Sequence, residues 1–350
     1  MHFTQTLNDD FIKIQQATTG FNFLESKRVL ITGANGFIAS YLINYFLFLN
    51  SKCGAKIKVI ALLRNKNKLD KQVAANEAVE IVEQDICQPI TLNYAVDIIL
   101  HTASYACPSF FETDPVGTSL PNTLGTHFLL EYAKNNPVQQ FVFFSTTGVY
   151  GHNPAERYPL TETDFGSLDC ATLSSCYLES KRMGENLCIS YHKQHGIPVK
   201  IIRPAITFGP GIDLKGNRSY EDFIGKVLSD EDIELLSDGS AIRNFCYISD
   251  FISGLLTVIS QGSFGEAYNV ATDEDISISQ LAEKLTAEVF QDKQLKVIYK
   301  SSTVNKALRT EFNRTTVDIN KTKALGWELQ VSTLKGFERT VKHYNELRNM

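Results

Sequence analysis

The sequence predicts an α/β protein in which a doubly wound parallel sheet carries a smaller C-terminal α/β lobe. Short apolar runs without polar alternation recur through residues 28–202, as is typical of strands buried on both faces. Helix-length segments separate several of these runs, so helical crossovers can join parallel strands. After residue 205 the apolar runs become shorter and glycine and proline mark more loops, which indicates the lobe.

The elements follow from these runs in chain order. Strands of the sheet are predicted at residues 28–32, 57–63, 79–82, 96–100, 141–145 and 198–202, with helices at 122–136 and 174–195. Later helices are predicted at 219–229, 249–260 and 277–290, and later strands at 232–236, 266–270 and 295–299. We expect residues 1–203 to form the sheet domain, to which residues 240–275 return. The lobe then comprises residues 204–239 and 276–350.

Composition excludes several classes of protein. The 350 residues are 43% hydrophobic and 21% charged, which is ordinary for a globular chain and argues against disorder, collagen and coiled coil. With 34 basic and 39 acidic residues the net charge is -5. Binding to nucleic acid or to an anionic membrane depends on surplus basic residues, so neither is expected.

Targeting and metal-binding signals are also missing from the sequence. The most apolar stretch, residues 37–49, is shorter than the roughly 20 residues that a bilayer requires, so no membrane span is predicted. The first residues lack the apolar core of a secretory signal. The seven cysteines are odd in number and form no CxxC pair, which favours reduced thiols, no metal site and a cytoplasmic location.

A glycine-rich turn follows the first predicted strand. Residues 32–40 read TGANGFIAS, where Gly33 and Gly36 allow a tight turn and Ala39 takes the place of a third glycine. Such a turn lets the backbone approach a pyrophosphate at the N-terminus of the next helix. The pattern alone also fits an ordinary strand–helix turn. Its place after the first strand favours a Rossmann dinucleotide-binding domain over residues 1–203.

The end of the second strand bears on which dinucleotide would bind. A carboxylate there would suit the ribose 2′-hydroxyl of NAD, but the strand ends in Arg64, which suits a 2′-phosphate. NADP is therefore favoured and NAD is left open, unless Arg64 is simply a solvated surface charge. Asp85, after the third strand, is expected at the adenine edge or, alternatively, as a turn residue.

Tyr177 and Lys181 are candidates for acid/base chemistry. They are four residues apart in a predicted helix, so their side chains share one face. A nearby ammonium stabilises a phenolate, and we expect Lys181 to lower the pKa of Tyr177 toward working pH. Chance supplies this spacing readily, so its context matters. Thr146 follows a predicted strand at the sheet edge and can share a hydrogen bond with Tyr177 and a substrate oxygen.

Nine motifs in order resemble the extended short-chain dehydrogenase/reductase family, over residues 25–340. They are TGANGFIA, DI at 85, HTAS at 101, NTLGT at 122, STTGVYG at 145, YLESK at 177, RPAITFGPG at 203, RNFCYISD at 243 and GEAYNVA at 265. That family comprises nucleotide-sugar epimerases, dehydratases, decarboxylases and reductases. Residues 104–118 and 175–187 look most like UDP-glucuronate decarboxylases.

The resemblance implies roles for individual residues. Thr146, Tyr177 and Lys181 would form the catalytic triad, with Tyr177 as base and Lys181 on the nicotinamide ribose. Arg243 would grip the nucleotide diphosphate, unless it only forms a salt bridge at a strand end. Substrate contacts are expected from Tyr105, Thr146, Thr147 and Arg243. Cofactor contacts are expected from Gly33, Asn35, Gly36, Phe37, Ile38, Arg64, Asp85, Ile86, Thr102, Ala103, Ser104, Asn122, Tyr177, Lys181 and Pro204.

Two departures from the family pattern weaken the closer resemblance to decarboxylases, and the first of them bears on the reaction. Gly148 stands where decarboxylases and 4,6-dehydratases carry an acid, and Ile206 replaces the asparagine of RxxNxYGP. Elimination is therefore not expected. We predict a nucleotide-sugar 4-epimerase that acts through a 4-keto intermediate. Alternatives are an NADPH-dependent reductase of a nucleotide-linked keto sugar and a UDP-glucuronate decarboxylase-like enzyme; the intact triad argues against a non-catalytic dinucleotide-binding protein.

The resemblance also implies a homodimer. In this family two helices commonly form a four-helix bundle across a two-fold axis, and the chain has apolar stripes on both corresponding segments. The stripes comprise Leu124, Phe128 and Leu129 on the first and Met183, Leu187 and Tyr191 on the second. Alternatively, both stripes only cover the sheet.

Overall fold

A computed structural model describes residues 4–17, 21–216, 218–300 and 313–350. The elements in the first 195 residues are α1 (Gln5–Ala17), β1 (Arg28–Thr32), α2 (Phe37–Cys53), β2 (Lys58–Leu63), α3 (Lys71–Ala74), β3 (Val79–Glu83), β4 (Ile98–His101), α4 (Pro108–Thr113), α5 (Pro115–Leu120), α6 (Thr126–Asn135), β5 (Gln140–Phe144) and α7 (Ser175–His195). A single π turn, Pro121–Gly125, joins α5 to α6.

The remaining elements alternate short strands with helices. They are β6 (Val199–Pro204), β7 (Ile206–Phe208), α8 (Ser219–Leu228), β8 (Ile233–Leu235), β9 (Ile242–Tyr247), α9 (Ile248–Gln261), β10 (Glu266–Val270), β11 (Asp275–Ser277), α10 (Ile278–Lys284), β12 (Val297–Tyr299), α11 (Asn320–Lys323) and α12 (Thr333–Arg348).

Seven parallel strands form the main sheet in the order β10-β6-β5-β4-β1-β2-β3. The chain winds outward from β1 in both directions, and β1 pairs with β2 on one side and β4 on the other. The strand order reverses at β1, and the carboxyl ends beside that point form the crevice where such sheets bind ligands. The predicted α/β fold with a doubly wound parallel sheet is confirmed.

Burial on both sheet faces explains the continuous apolar runs. Along β1, Val29 and Ile31 belong to one apolar core, whereas Leu30 points to the other face and packs with residues such as Ile99 and Phe141. Adjacent side chains of a strand alternate between faces, so a strand covered on both sides needs apolar residues throughout.

The C-terminal region adds two small sheets. The strands β7, β9 and β11 form one, and β8 pairs with β12 in the other. The strand β10 instead pairs with β6 at the edge of the main sheet, with Tyr268 opposite Ile202. Residues 240–275 thus contribute β9 to a small sheet and β10 to the main one. The division into two units stays a prediction.

The helix α1 has no counterpart among the predicted elements. Its side chains Leu7, Phe11 and Ile14 are buried, and the Phe11 ring meets that of Tyr41 edge-on at 5.2 Å between centroids. Asp10 is fully buried and accepts bonds from the Arg339 guanidinium of α12 and from the Tyr247 hydroxyl. The helix is therefore an integral part of the core.

Within the described ranges, every helix is too short or too polar to cross a bilayer. In the same ranges we find no cluster of three histidine, cysteine or acidic side chains able to hold a metal ion. All seven cysteines are free thiols, of which Cys188 and Cys246 are buried.

Candidate active site

The glycine turn after β1 is shaped for a close approach of backbone to a ligand. Gly33 has φ +64°, and a Cβ there would lie 2.7 Å from the Cα of Ala103 at the end of β4. Gly36 begins α2 with no side chain capping the helix. The first N–H groups of a helix lack partners within it, so this end of α2 offers donors and a positive dipole to a phosphate.

Polar atoms without partners lie just after β4 and in the π turn between α5 and α6. Thr32 of β1 binds the residues that follow β4. Its carbonyl accepts a hydrogen bond from the Thr102 hydroxyl, and its hydroxyl accepts a hydrogen bond from the Ala103 N–H. Among the described residues, the Ser104 hydroxyl and the Asn122 side-chain oxygen are buried without a hydrogen-bond partner. Such groups are costly unless a ligand satisfies them. The crevice therefore fits a polar ligand such as a dinucleotide.

Other predicted cofactor residues surround this turn. Asn35 is exposed, whereas Phe37, Ile38 and Pro204 are half-buried. Ile86 is buried, and a Cβ at Gly125 would lie 3.1 Å from it. Asp85 accepts a bond from the Cys87 N–H at 2.9 Å, which is the turn role considered as the alternative to adenine binding.

Arg64 makes a contact that its sequence position did not indicate. Its guanidinium donates to the hydroxyl of Tyr105 and lies 5.1 Å from the centroid of that ring. Tyr105 in turn stacks on Phe110 at 4.3 Å. The preference for NADP depended on Arg64 being available to a 2′-phosphate. With its guanidinium held by Tyr105, that preference is not supported.

Tyr177 lies near the start of α7 and meets side chains from two other segments. The Thr146 hydroxyl accepts a bond from the Gly148 N–H at 3.2 Å and lies near the Tyr177 phenol, whose pKa it lowers. The Phe111 ring stacks on that of Tyr177, with centroids 5.2 Å apart and planes 12° apart. The structure therefore brings Thr146 and Tyr177 together and covers one face of the phenol ring.

Lys181 occupies the next turn of α7. Its Nζ donates to the Phe144 carbonyl at 2.5 Å and lies 5.8 Å from the centroid of the Tyr177 ring. Burial lowers the pKa of Lys181 to about 7. Burial also raises the pKa of Tyr177 to about 12, against the opposing effects of the Arg218 charge and the Thr146 hydrogen bond. Desolvation of the buried phenol thus outweighs the Arg218 charge, and the expected effect of Lys181 on the pKa of Tyr177 stays a prediction.

A buried ion pair supports this part of α7. Glu185, one turn beyond Lys181, accepts bonds of 2.9 and 2.7 Å from Arg203 of β6 and another from the Ser145 hydroxyl. Two hydrogen bonds from one guanidinium fix orientation as well as charge. The pair therefore joins α7 to the ends of β5 and β6, where Lys181 also binds.

The space beside Gly148 is filled. A Cβ at this glycine would lie 2.5 Å from a methyl of Leu178, the residue after Tyr177. The neighbouring Thr147 is buried. A side chain at this position would require the end of the Leu178 side chain to shift.

Arg243 lies on β9 and is buried. It donates to the Ile242 carbonyl at 2.8 Å and to the Asn313 carbonyl at 3.3 Å, and burial lowers its pKa to about 10. Its assignment to a substrate diphosphate stays a prediction.

Sequence reasoning missed two residues beside Tyr177. Phe111 stacks on the phenol, and Arg218, at the start of α8, donates to the Ala106 carbonyl at 2.8 Å and the Tyr220 hydroxyl at 2.7 Å. Its charge also acts on Tyr177. Phe111 lies in a segment that the family resemblance already marked, but no local pattern singles out Arg218.

Comparison with known proteins extends these observations. The sequence model of the NAD dependent epimerase/dehydratase family matches residues 29–271. UDP-glucuronic acid decarboxylase 6 of Arabidopsis thaliana is 30% identical over 315 residues, which cover 90% of this chain and 88% of that protein.

Solved structures share the fold. A UDP-glucose 4-epimerase from Thermotoga maritima superposes with a TM-score of 0.77 at 22% identity, covering 92% of this chain and 99% of that one. A UDP-glucuronic acid 4-epimerase from Bacillus cereus, in complex with UDP-glucuronic acid and NAD, gives 0.72 at 24% identity, covering 91% and 99%. The family match spans the glycine turn, α7 and β10, and the chain belongs to the NAD-dependent epimerase/dehydratase family of enzymes.

Proposed function

We propose that the protein is a nucleotide-sugar 4-epimerase that works through a transient 4-keto sugar. Two observations are the main support. The Thr146 hydroxyl lies near the Tyr177 phenol, and the Leu178 side chain fills the space beside Gly148. The first pair is equipped for proton transfer at one sugar hydroxyl. The filled position leaves no acid beside it for a second chemical step.

The chain's own residues would move and hold the proton. Tyr177 takes the proton of the C4 hydroxyl and returns it later, and Thr146 shares a hydrogen bond with the same oxygen. Bound NAD would supply the hydride acceptor and donor for C4. The turn at Gly33 and Gly36 and the polar groups of Ser104 and Asn122 would hold it. Epimerisation needs only these groups and room for the ketone to present its other face.

NAD is the cofactor that we propose. The family description names NAD, and NAD is bound in the Bacillus cereus epimerase structure. Arg64 is engaged by Tyr105, so it gives no independent support for NADP. An epimerase also restores its cofactor in each cycle, which suits a dinucleotide that stays bound.

Decarboxylation is the second candidate. It is supported by the relatives, since UDP-glucuronic acid decarboxylases from Arabidopsis thaliana reach 30% identity. It is opposed by Gly148, where the resemblance leads us to expect an acid in decarboxylases, and by the Leu178 side chain that fills the space.

Product analysis separates the candidates. The full chain is incubated with UDP-, GDP-, CDP- and dTDP-linked sugars, including UDP-glucuronate, and products are identified by NMR. We expect a C4 epimer without release of CO₂ and without net consumption of NADPH. A pentose product with CO₂ would show a decarboxylase, and stoichiometric NADPH oxidation would show a reductase. Failure to convert any sugar nucleotide would contradict the proposal.

A further inference from the structure

Arg64 and Tyr105 meet across the crevice of the glycine turn. Arg64 follows β2 and Tyr105 follows β4, and these strands flank β1 on opposite sides. Neighbouring strands are about 4.8 Å apart, so β2 and β4 lie about 10 Å from each other. The hydrogen bond between the two side chains therefore bridges the carboxyl end of β1, from which the turn of Gly33 and Gly36 begins.

The segment that carries Tyr105 has one internal stack and is held to other segments at two further points. Tyr105 stacks on Phe110, with planes 18° apart. The Ala106 carbonyl accepts a bond from Arg218 of the α8 region, and Phe111 stacks on Tyr177. These contacts fix residues 105–111 over the crevice, so the phenol of Tyr105 is presented to Arg64 by a braced segment.

We propose that Arg64 and Tyr105 form a clasp that closes over a bound dinucleotide and slows its release. A dinucleotide with its pyrophosphate on the glycine turn would lie beneath this bridge, and the side chains must separate before it can leave. The clasp rests on the proposed function, because a redox-neutral epimerase reuses one cofactor molecule. A net reductase would have to open it in every cycle. Arg64 and Tyr105 thus act as cofactor-retaining residues.

Release of cofactor tests the clasp without any turnover. The full chain is loaded with radiolabelled NAD, diluted into excess unlabelled NAD, and assayed for bound label over time. Tyr105→Phe removes the hydroxyl that accepts from Arg64 but keeps the ring on Phe110. We expect Tyr105→Phe and Arg64→Gln each to speed release about five- to tenfold, as for loss of one charge-assisted hydrogen bond at a partly exposed site.

A double variant and a matched control sharpen the result. Tyr105→Phe combined with Arg64→Gln should release NAD no faster than the faster single variant, because the two side chains act through their contact with each other. Tyr299→Phe removes another exposed tyrosine hydroxyl, which donates to Glu283 at 2.6 Å, and should leave release unchanged.

Two outcomes would overturn the clasp. If Arg64→Gln speeds release while Tyr105→Phe does not, the hydrogen bond between Arg64 and Tyr105 is not what retains the dinucleotide. If the unaltered chain loses NAD during gel filtration, nothing retains it. These outcomes are distinct from failure of the proposed function, because slow, clasp-dependent release can be measured in a chain that forms no C4 epimer.

Discussion

The aromatic rings of Phe111 and Tyr177 lie almost parallel, with centroids 5.2 Å apart. The stack fixes the plane of the phenol, and Thr146 lies near its hydroxyl. Two segments distant in sequence thus set the orientation of one candidate base.

Tyr177→Phe should remove most turnover and leave NAD binding nearly unchanged, because only the titratable hydroxyl is lost. A general acid/base contributes on the order of 100- to 10,000-fold to rate. Steady-state kinetics and NAD titration on the same preparation measure both quantities. Turnover within threefold of the unaltered chain would mean that Tyr177 is not the base.

Arg218→Gln should move the activity profile to higher pH. The charged groups near the phenol include Arg218 and Lys181, and the positive charge of Arg218 lowers the pKa of Tyr177. Its loss raises that pKa, so the phenolate fraction and the turnover at neutral pH should both fall and should recover as the pH rises. Arg218→Lys keeps the charge and should restore much of the profile. A uniform loss at every pH would instead indicate that Arg218 only supports Ala106.

His343→Gln should make stability less sensitive to acid. His343 is buried and hydrogen bonds to Thr4 at 2.7 Å, and burial lowers its pKa to about 4. In the unfolded chain His343 binds a proton below about pH 6.5, but in the folded chain it does so only below about pH 4. The free energy of unfolding therefore keeps its full value above pH 6.5 and decreases as the pH falls toward 4. The loss is about 3 kcal/mol. Urea unfolding from pH 7 to 4 should show a shallower decline in the variant, and equal declines would refute the assignment.

Met183→Glu should convert the proposed homodimer to monomer. Met183 is 47% exposed on α7, whereas Leu129 is fully buried and Leu187 packs against the apolar core. The two stripes therefore cover the sheet in part, and Met183 is the clearest candidate for contact with a second copy. Sedimentation should give twice the 39.2 kDa chain mass for the unaltered protein. A monomer at micromolar concentration would contradict the dimer.

Local patterns were enough to predict the sheet. The predicted strand 28–32 matches β1 because a glycine turn ends it, and the run at 57–63 contains β2. The sequence did not lead us to α1, although Leu7, Phe11 and Ile14 have helical spacing, because its partners α9 and α12 lie far along the chain.

The candidate site was less predictable than the sheet. Tyr177 and Lys181 could be found because four-residue spacing places them on one helix face. The contacts of Arg64 with Tyr105 and of Arg218 with Ala106 join distant segments, so no local pattern contains them. The pKa of Tyr177 depends on burial, which is a property of the assembled fold.

The attachment of α1 to α12 has a consequence for the order of synthesis. Asp10 forms its ion pair with Arg339, and Thr4 hydrogen bonds to His343. The region of α1 is synthesised early, but these partners in α12 are synthesised much later. Until α12 leaves the ribosome, a nascent chain carries Asp10 without the Arg339 guanidinium of its ion pair. Products that stop before α12 should therefore be substrates for chaperones and proteases even though every strand of the main sheet is already present.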